Sequence, residues 1–195
     1  MSYPHRVKTK LAFVLFGASV IGCGQAFSDR QSAEQTYVGA LGSTGALLAV
    51  TTNGDRFRAY VCGDDATRAI YTQWFEGSMS NGQAVAKGGE LLLSIDQRDS
   101  TRVVGSIERN GSKVTFDLGI PHAAGGLWSA KGEHCATGLI ALDDGRTQGA
   151  YCVAPFVRSQ VVPVRPPARG DEEVAVYISS AQLQEWLKRV SINVQ

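Results

Sequence analysis

The feature that most constrains this chain is the regular return of tight-turn dipeptides between short apolar runs, from residue 37 onward. Asn53-Gly54, Asn81-Gly82 and Asn110-Gly111 each present the pair favoured in a two-residue hairpin turn. Both central residues of such a turn take positive φ, which Asn and Gly tolerate best. Folding about Asn53-Gly54 pairs Val50 with Phe57, Leu48 with Ala59 and Ala46 with Val61, an entirely apolar face; Thr51 then meets Arg56 and Leu47 meets Tyr60 on the other. Folding about Asn110-Gly111 pairs Ile107 with Val114, Gly105 with Phe116 and Val103 with Leu118. Lys113, Thr115 and Asp117 then point away, and the Phe116 ring covers Gly105. A slip of one residue would turn those polar side chains into the core, so pattern and turn specify the same register.

The same punctuation continues at Gly88-Gly89, at Gly125-Gly126 ahead of Leu127-Trp128, and at Asp143-Asp144-Gly145. About ten short strands at this spacing predict a mainly β fold: an antiparallel meander curling into a barrel or a sandwich, without a helix before residue 175. Nineteen basic side chains against 18 acidic ones give no basic surface for nucleic acid.

The N-terminus speaks to location. Residues 1–10 carry Arg6, Lys8 and Lys10 and no acid, and residues 11–22 carry no charge. A basic head before a short apolar run is the pattern of a signal peptide, and the run is shorter than the ~20 residues a spanning helix needs. Val20-Ile21-Gly22-Cys23 resembles the lipobox of bacterial lipoproteins: two aliphatic residues, a small one, then Cys. That resemblance implies a diacylglycerol thioether on Cys23, cleavage before it, and acylation of the new amine. It places the chain on the extracytoplasmic face of a membrane, the outer membrane in a Gram-negative cell because Gly24 follows the cysteine. Val20 stands where Leu is commonest. Gly24-Gln25-Ala26 offers a competing cut before Phe27, which would make the protein simply secreted. Loss of residues 1–22 leaves 173 residues with 16 basic and 18 acidic side chains, so the exported part is mildly acidic.

The expected organisation is a signal peptide over 1–22, a polar tether over 23–36, a β-domain over 37–160, a Pro-rich linker over 161–173 and a strand plus helix over 174–195. The segments around Tyr60-Val61-Cys62, Trp74-Phe75-Glu76-Gly77 and Asp144-Gly145 resemble β-rich exported bacterial domains of unknown role; that resemblance implies no activity. In the tail, Ser179-Ser180-Ala181-Gln182 has the form of a capping box, and Leu183, Trp186, Leu187 and Val190 recur at helical spacing. This predicts a C-terminal amphipathic helix. It either packs on the β-domain or docks a partner through Trp186, Leu183 and Leu187.

Once Cys23 is lipidated or removed, Cys62, Cys135 and Cys152 remain. Pairing about Asp143-Asp144-Gly145 brings Cys135 and Cys152 within one residue of direct opposition, so a Cys135–Cys152 disulfide is expected in an oxidising compartment. Three free thiols are the alternative. No nucleophile elbow, phosphate loop or zinc-protease motif occurs, and the histidines lack a zinc spacing. No cofactor or metal is therefore expected. His122 or His134, with Asp143 or Asp144 and Ser129, are the residues an exported hydrolase would use. Tyr60, Tyr71, Trp74, Phe75 and Trp128 are core candidates, some of which could line the mouth of a ligand cavity. The leading expectation is a lipid-anchored binding or envelope-associated module for an envelope protein or a small apolar ligand. The alternatives are the hydrolase and a structural envelope protein acting through the C-terminal helix.

Overall fold

A computed structural model describes residues 33–132, 135–154, 157–178 and 180–192. The leader, Cys23, most of the tether, His134 and Ser179 lie outside them.

The first eight strands are β1 (Gln35–Ala40), β2 (Leu47–Thr52), β3 (Arg56–Cys62), β4 (Gln73–Ser78), β5 (Gln83–Gly88), β6 (Leu91–Gln97), β7 (Arg102–Arg109) and β8 (Ser112–Gly119). They form one antiparallel sheet in the order β4-β3-β2-β1-β8-β7-β6-β5. β1 meets β8 at Val38 and Gly119, which curls the sheet upon itself. Its end strands β4 and β5 are consecutive in sequence, and Ser80, two residues beyond β4, makes an isolated bridge to Gln83 at the start of β5 across the Asn81-Gly82 turn. The interior is filled by Tyr37, Leu48, Val50, Phe57, Leu93, Ile107, Leu118 and their neighbours.

Six further strands, β9 (Gly126–Ala130), β10 (Thr137–Ala141), β11 (Thr147–Ala154), β12 (Val157–Pro163), β13 (Glu173–Ile178) and β14 (Leu183–Arg189), close into a second antiparallel barrel. Its interior holds Trp128, Leu139, Val161, Val174, Val176, Ile178 and Leu187. The described residues thus form a pair of meander barrels with 14 strands, where about ten strands were expected. Among the described residues there is no helix.

The expected C-terminal helix is strand β14. It pairs with β13 from Ile178–Leu183 to Glu173–Lys188 and with β9 at Lys188–Ser129 and Arg189–Trp128. A helix here would leave β13 and β9 as open edges, and closing the ladder satisfies their backbone groups. The i, i+4 spacing of Leu183 and Leu187 fits a strand face as well as a helix stripe. Gln182, in the expected capping box, takes φ 48 in the β13–β14 turn, outside helical geometry. Residues 161–173 are the end of β12, a loop and the first residue of β13, and the loop is drawn together by Arg165 and Asp171 at 2.9 Å.

The Asn110-Gly111 hairpin has the register its sequence dictates, with φ 51 and 78 at the turn. The first hairpin is shifted by two residues: Val50 pairs with Ala59 and Thr52 with Phe57. Its two-residue loop is Gly54-Asp55, because the Asn53 carboxamide accepts the N–H groups of Asp55 and Arg56 and Gly54 alone takes positive φ. A two-residue shift preserves the faces, so the expected inward set is still inward.

β2 and β10 explain how the barrels meet. Every residue of both strands is buried. Leu48 and Val50 of β2 face the first interior, whereas Leu47 and Ala49 join Tyr60, Cys62, Leu127, Ile140 and Ala150 in a third apolar cluster between the barrels. Gln148 adds two polar links, accepting from Leu47 N–H at 2.9 Å and donating to the Gly45 carbonyl at 2.6 Å.

Candidate functional site

On β3, alternation sends Phe57, Ala59 and Val61 inward and Arg58, Tyr60 and Cys62 toward the second barrel. Tyr60 lies between two constraints. Trp74 of β4 stacks on its ring at 4.4 Å between centroids and 26° between planes. On the other barrel, a Cβ at Gly138 would stand 2.4 Å from a Tyr60 ring carbon, so only a bare backbone lets the ring settle there. The Trp74 indole N–H donates to the Ala136 carbonyl at 3.1 Å, and the Arg58 guanidinium sits 5.4 Å from the Trp74 ring.

Beside this stack lies a cleft of about 350 Å³ lined by Arg58, Tyr60, Gln73, Trp74, Ala136 and Arg158, among others. Cys135 forms part of the wall and is bonded to Cys152, with Cα atoms 5.8 Å apart. The strands place Gly138 opposite Ala150, so Cys135 falls one residue from direct opposition to Cys152. Arg158 is brought in by its pairing with Cys152 across β11 and β12.

The polar chemistry of this junction is incomplete. Among the described residues, two buried guanidinium nitrogens, Arg68 Nε and Arg158 Nε, lack a hydrogen-bond partner, and the buried Tyr60 hydroxyl makes no hydrogen bond of ordinary geometry, with the Cys62 thiol and the Ala150 backbone as its neighbours. Tyr60 and Arg158 both line the cleft. A buried, unpaired donor costs about 1–3 kcal/mol, more when charged. Neither Arg58 nor Arg158 has an ion pair among the described residues. Burial pushes the Tyr60 phenol well above its ordinary range, and the charge and hydrogen bond of the neighbouring Cys62 thiol push the same way, so the hydroxyl stays protonated; the positive Arg158 and a bond to the Ala150 backbone pull the other way. Burial likewise raises the free Cys62 thiol, opposed by bonds to Tyr60 and Thr72 and by Arg68 and Arg158.

The paper triad is not assembled by His122. This histidine is exposed, and its contact with Asp143 runs through its backbone N–H, at 2.6 Å. The Asp143 carboxylate also accepts from the N–H groups of Ala123, Ala124 and Gly125 at 2.9–3.2 Å. Partial burial works against its ionisation, but these four donors outweigh it and hold the carboxyl below its usual range. Asp143 is therefore a clasp on the segment joining β8 to β9. Asp64 is occupied similarly, accepting from Ala66, Thr67 and the Thr67 hydroxyl, and Asp144 pairs with Arg146. Among the described residues no group of three acidic, His or Cys side chains is placed to hold a metal.

Of the three tail residues expected to meet a partner, Leu187 is fully buried inside the second barrel. Trp186 (60% exposed) and Leu183 (47%) lie on opposite faces of β14. Of the aromatic candidates, Tyr60 and Trp74 form the cleft stack; Phe75 fills the first barrel, Tyr71 packs at its rim, and Trp128 lies inside the second with its N–H on the Asp171 carbonyl. Arg58 and Arg158 were missed. A charged residue at an outward strand position reads as a solvated side chain, and no local signal distinguishes these two. Comparison with protein-family models, curated proteins and solved structures found no match.

Proposed function

We propose that this chain is a lipid-anchored, extracytoplasmic binding module that holds a small ligand in the cleft between its two barrels. The observation that carries the reading is a concave site walled by Tyr60 and Trp74 into which Arg58 and Arg158 bring two guanidiniums with no ion pair among the described residues, Arg158 Nε being buried without an acceptor. Buried donors are normally satisfied, and a guanidinium left open beside a cleft is a place where a ligand supplies the acceptors. The volume of about 350 Å³ lies at the small end of ligand sites. The anchor rests on the Val20-Ile21-Gly22-Cys23 segment and the basic, apolar leader before it. Two or more acyl chains would hold the module at the membrane surface, where one alone binds only marginally.

Two measurements test this. Native mass spectrometry of protein released gently from the envelope is expected to show a bound small molecule, absent from Trp74→Ala. Equal masses for the polypeptide and the native protein would speak against a resident ligand. Cys23→Ser is expected to accumulate as unprocessed precursor; membrane-bound protein of mature size from that variant would sink the anchor.

A further inference from the structure

We infer that the ligand of this cleft is a small organic oxyanion, a carboxylate or phosphate carried on an apolar body. The inference rests on the cleft being a binding site and specifies what it selects.

Over the whole chain basic and acidic side chains nearly balance, 19 to 18. The cleft departs from that balance, with Arg58 and Arg158 against one carboxylate, Glu76, which is exposed, lies opposite Arg58 across β3 and β4, and has no ion pair among the described residues. Arg58 also lines a neighbouring groove of about 360 Å³ whose other charged residues are Lys131, Lys188 and Arg189. Two adjoining concavities therefore hold five cations and one acid. Lys188 lies 3.8 Å from Glu173, which is a weak restraint at the surface, and Arg189 directs its Nε to the Asp171 carbonyl. Arg58, Arg158 and Lys131 have no ion pair among the described residues. Low-dielectric walls concentrate such a field and favour anions.

Donor chemistry points the same way. Tyr60 is 1% exposed, and its hydroxyl lies beside the Cys62 thiol and the Ala150 backbone. Arg158 Nε is buried and has no acceptor. The Arg58 and Arg158 guanidiniums can only donate. A cationic or donor-rich ligand would leave them unsatisfied, whereas an oxyanion accepts from them and neutralises the excess charge. The Trp74 and Tyr60 rings and the Ala136 methyl offer the apolar wall for the rest of the molecule.

The test compares benzoate with its uncharged isostere benzamide, with phenyl phosphate as a second anion. Binding to the whole processed protein is followed by the tryptophan fluorescence of Trp74. At least one anion is expected to bind 10-fold or more tightly than benzamide, and raising salt is expected to weaken the anion and leave benzamide unchanged. Arg158→Met is expected to bring the anion-to-amide ratio close to one; Arg158→Lys, which keeps the charge and loses the fork, should fall between. Arg58→Leu gives an independent reduction if Arg158→Met fails to fold. Benzamide binding as tightly as both anions would overturn the oxyanion inference while leaving the cleft a binding site. Failure of all three probes to bind would remove the binding-module reading as well.

Discussion

Tyr60→Phe separates stability from binding at this site. The substitution removes one oxygen and leaves the ring, its 4.4 Å stack on Trp74 and its seat on Gly138 in place. In the free protein that oxygen is buried with no hydrogen bond of ordinary geometry, beside the Cys62 thiol and the Ala150 backbone. Leaving a hydroxyl in that state costs about 1–3 kcal/mol, whereas a satisfied one contributes about 1 kcal/mol net. A void one oxygen wide returns part of the gain through lost packing contacts. The net expectation is a stabilisation of about 1 kcal/mol, or roughly 2–4 °C in Tm for a protein of this size. Equilibrium urea unfolding followed by tryptophan fluorescence measures it, with an unchanged m-value as the condition for reading the midpoint as stability. The same variant keeps Arg58 and Arg158, so oxyanion binding is expected to change little. A loss of about 1 kcal/mol or more on Tyr60→Phe would show that the hydroxyl is well bonded in the free protein and would refute the expected gain.

Other perturbations probe the junction. Gly138→Ala drives a methyl toward the Tyr60 ring, which Trp74 holds on its far side; overpacking of this kind costs about 1–3 kcal/mol in urea unfolding. Gly119→Ala is the control, since its Cβ meets nothing within 4 Å and its φ is ordinary; it should be neutral or stabilising by up to about 1 kcal/mol. Asp143→Ala removes the acceptor of four backbone N–H groups at a largely exposed site and should cost about 1–2 kcal/mol, with faster hydrogen exchange at residues 122–125. The Asp143 contribution is present above the ordinary carboxylate range and disappears as pH falls through its lowered folded value. At the alkaline end the sign reverses. Tyr60 and Cys62 are both raised, so the unfolded chain ionises first, near pH 9 for the thiol and 10 for the phenol, and stability falls as pH rises beyond each. Urea midpoints between pH 8 and 11 should show this decline, and Tyr60→Phe should reduce its upper part, the remainder including Tyr37, whose phenol burial also raises.

Much of the fold was legible because turn chemistry and alternation agree. Asn110-Gly111 and the apolar face from Val103 to Leu118 leave one workable register, and that register is the observed one. The first hairpin slipped by two residues because the Asn53 side chain bonds the turn backbone, which the dipeptide alone does not announce. The tail was misread for a physical reason: Leu183 and Leu187 satisfy both periods, and what selects the strand is the distant need to close a ladder between β13 and β9. The doubly buried runs Ala46–Val50 and Gly138–Leu142 did carry a sign of the barrel–barrel contact, since they lack the alternation of a half-exposed strand. Tyr60 and Trp74 were visible as aromatic candidates. Arg58 and Arg158 come together only in three dimensions, 100 residues apart in sequence, and no spacing rule reaches that far.

The most direct test of the binding cleft uses the three tryptophans as internal probes. Trp74 lies in the cleft, Trp128 is enclosed in the second barrel, and Trp186 is exposed on the outside of β14. In a ¹⁵N–¹H spectrum each gives an indole N–H signal in a different environment. On titration with benzoate, or with phenyl phosphate if that anion binds more tightly, the Trp74 signal is predicted to shift saturably while Trp128 and Trp186 stay still. No shift at Trp74, or a shift confined to Trp186, would contradict a ligand site between the barrels.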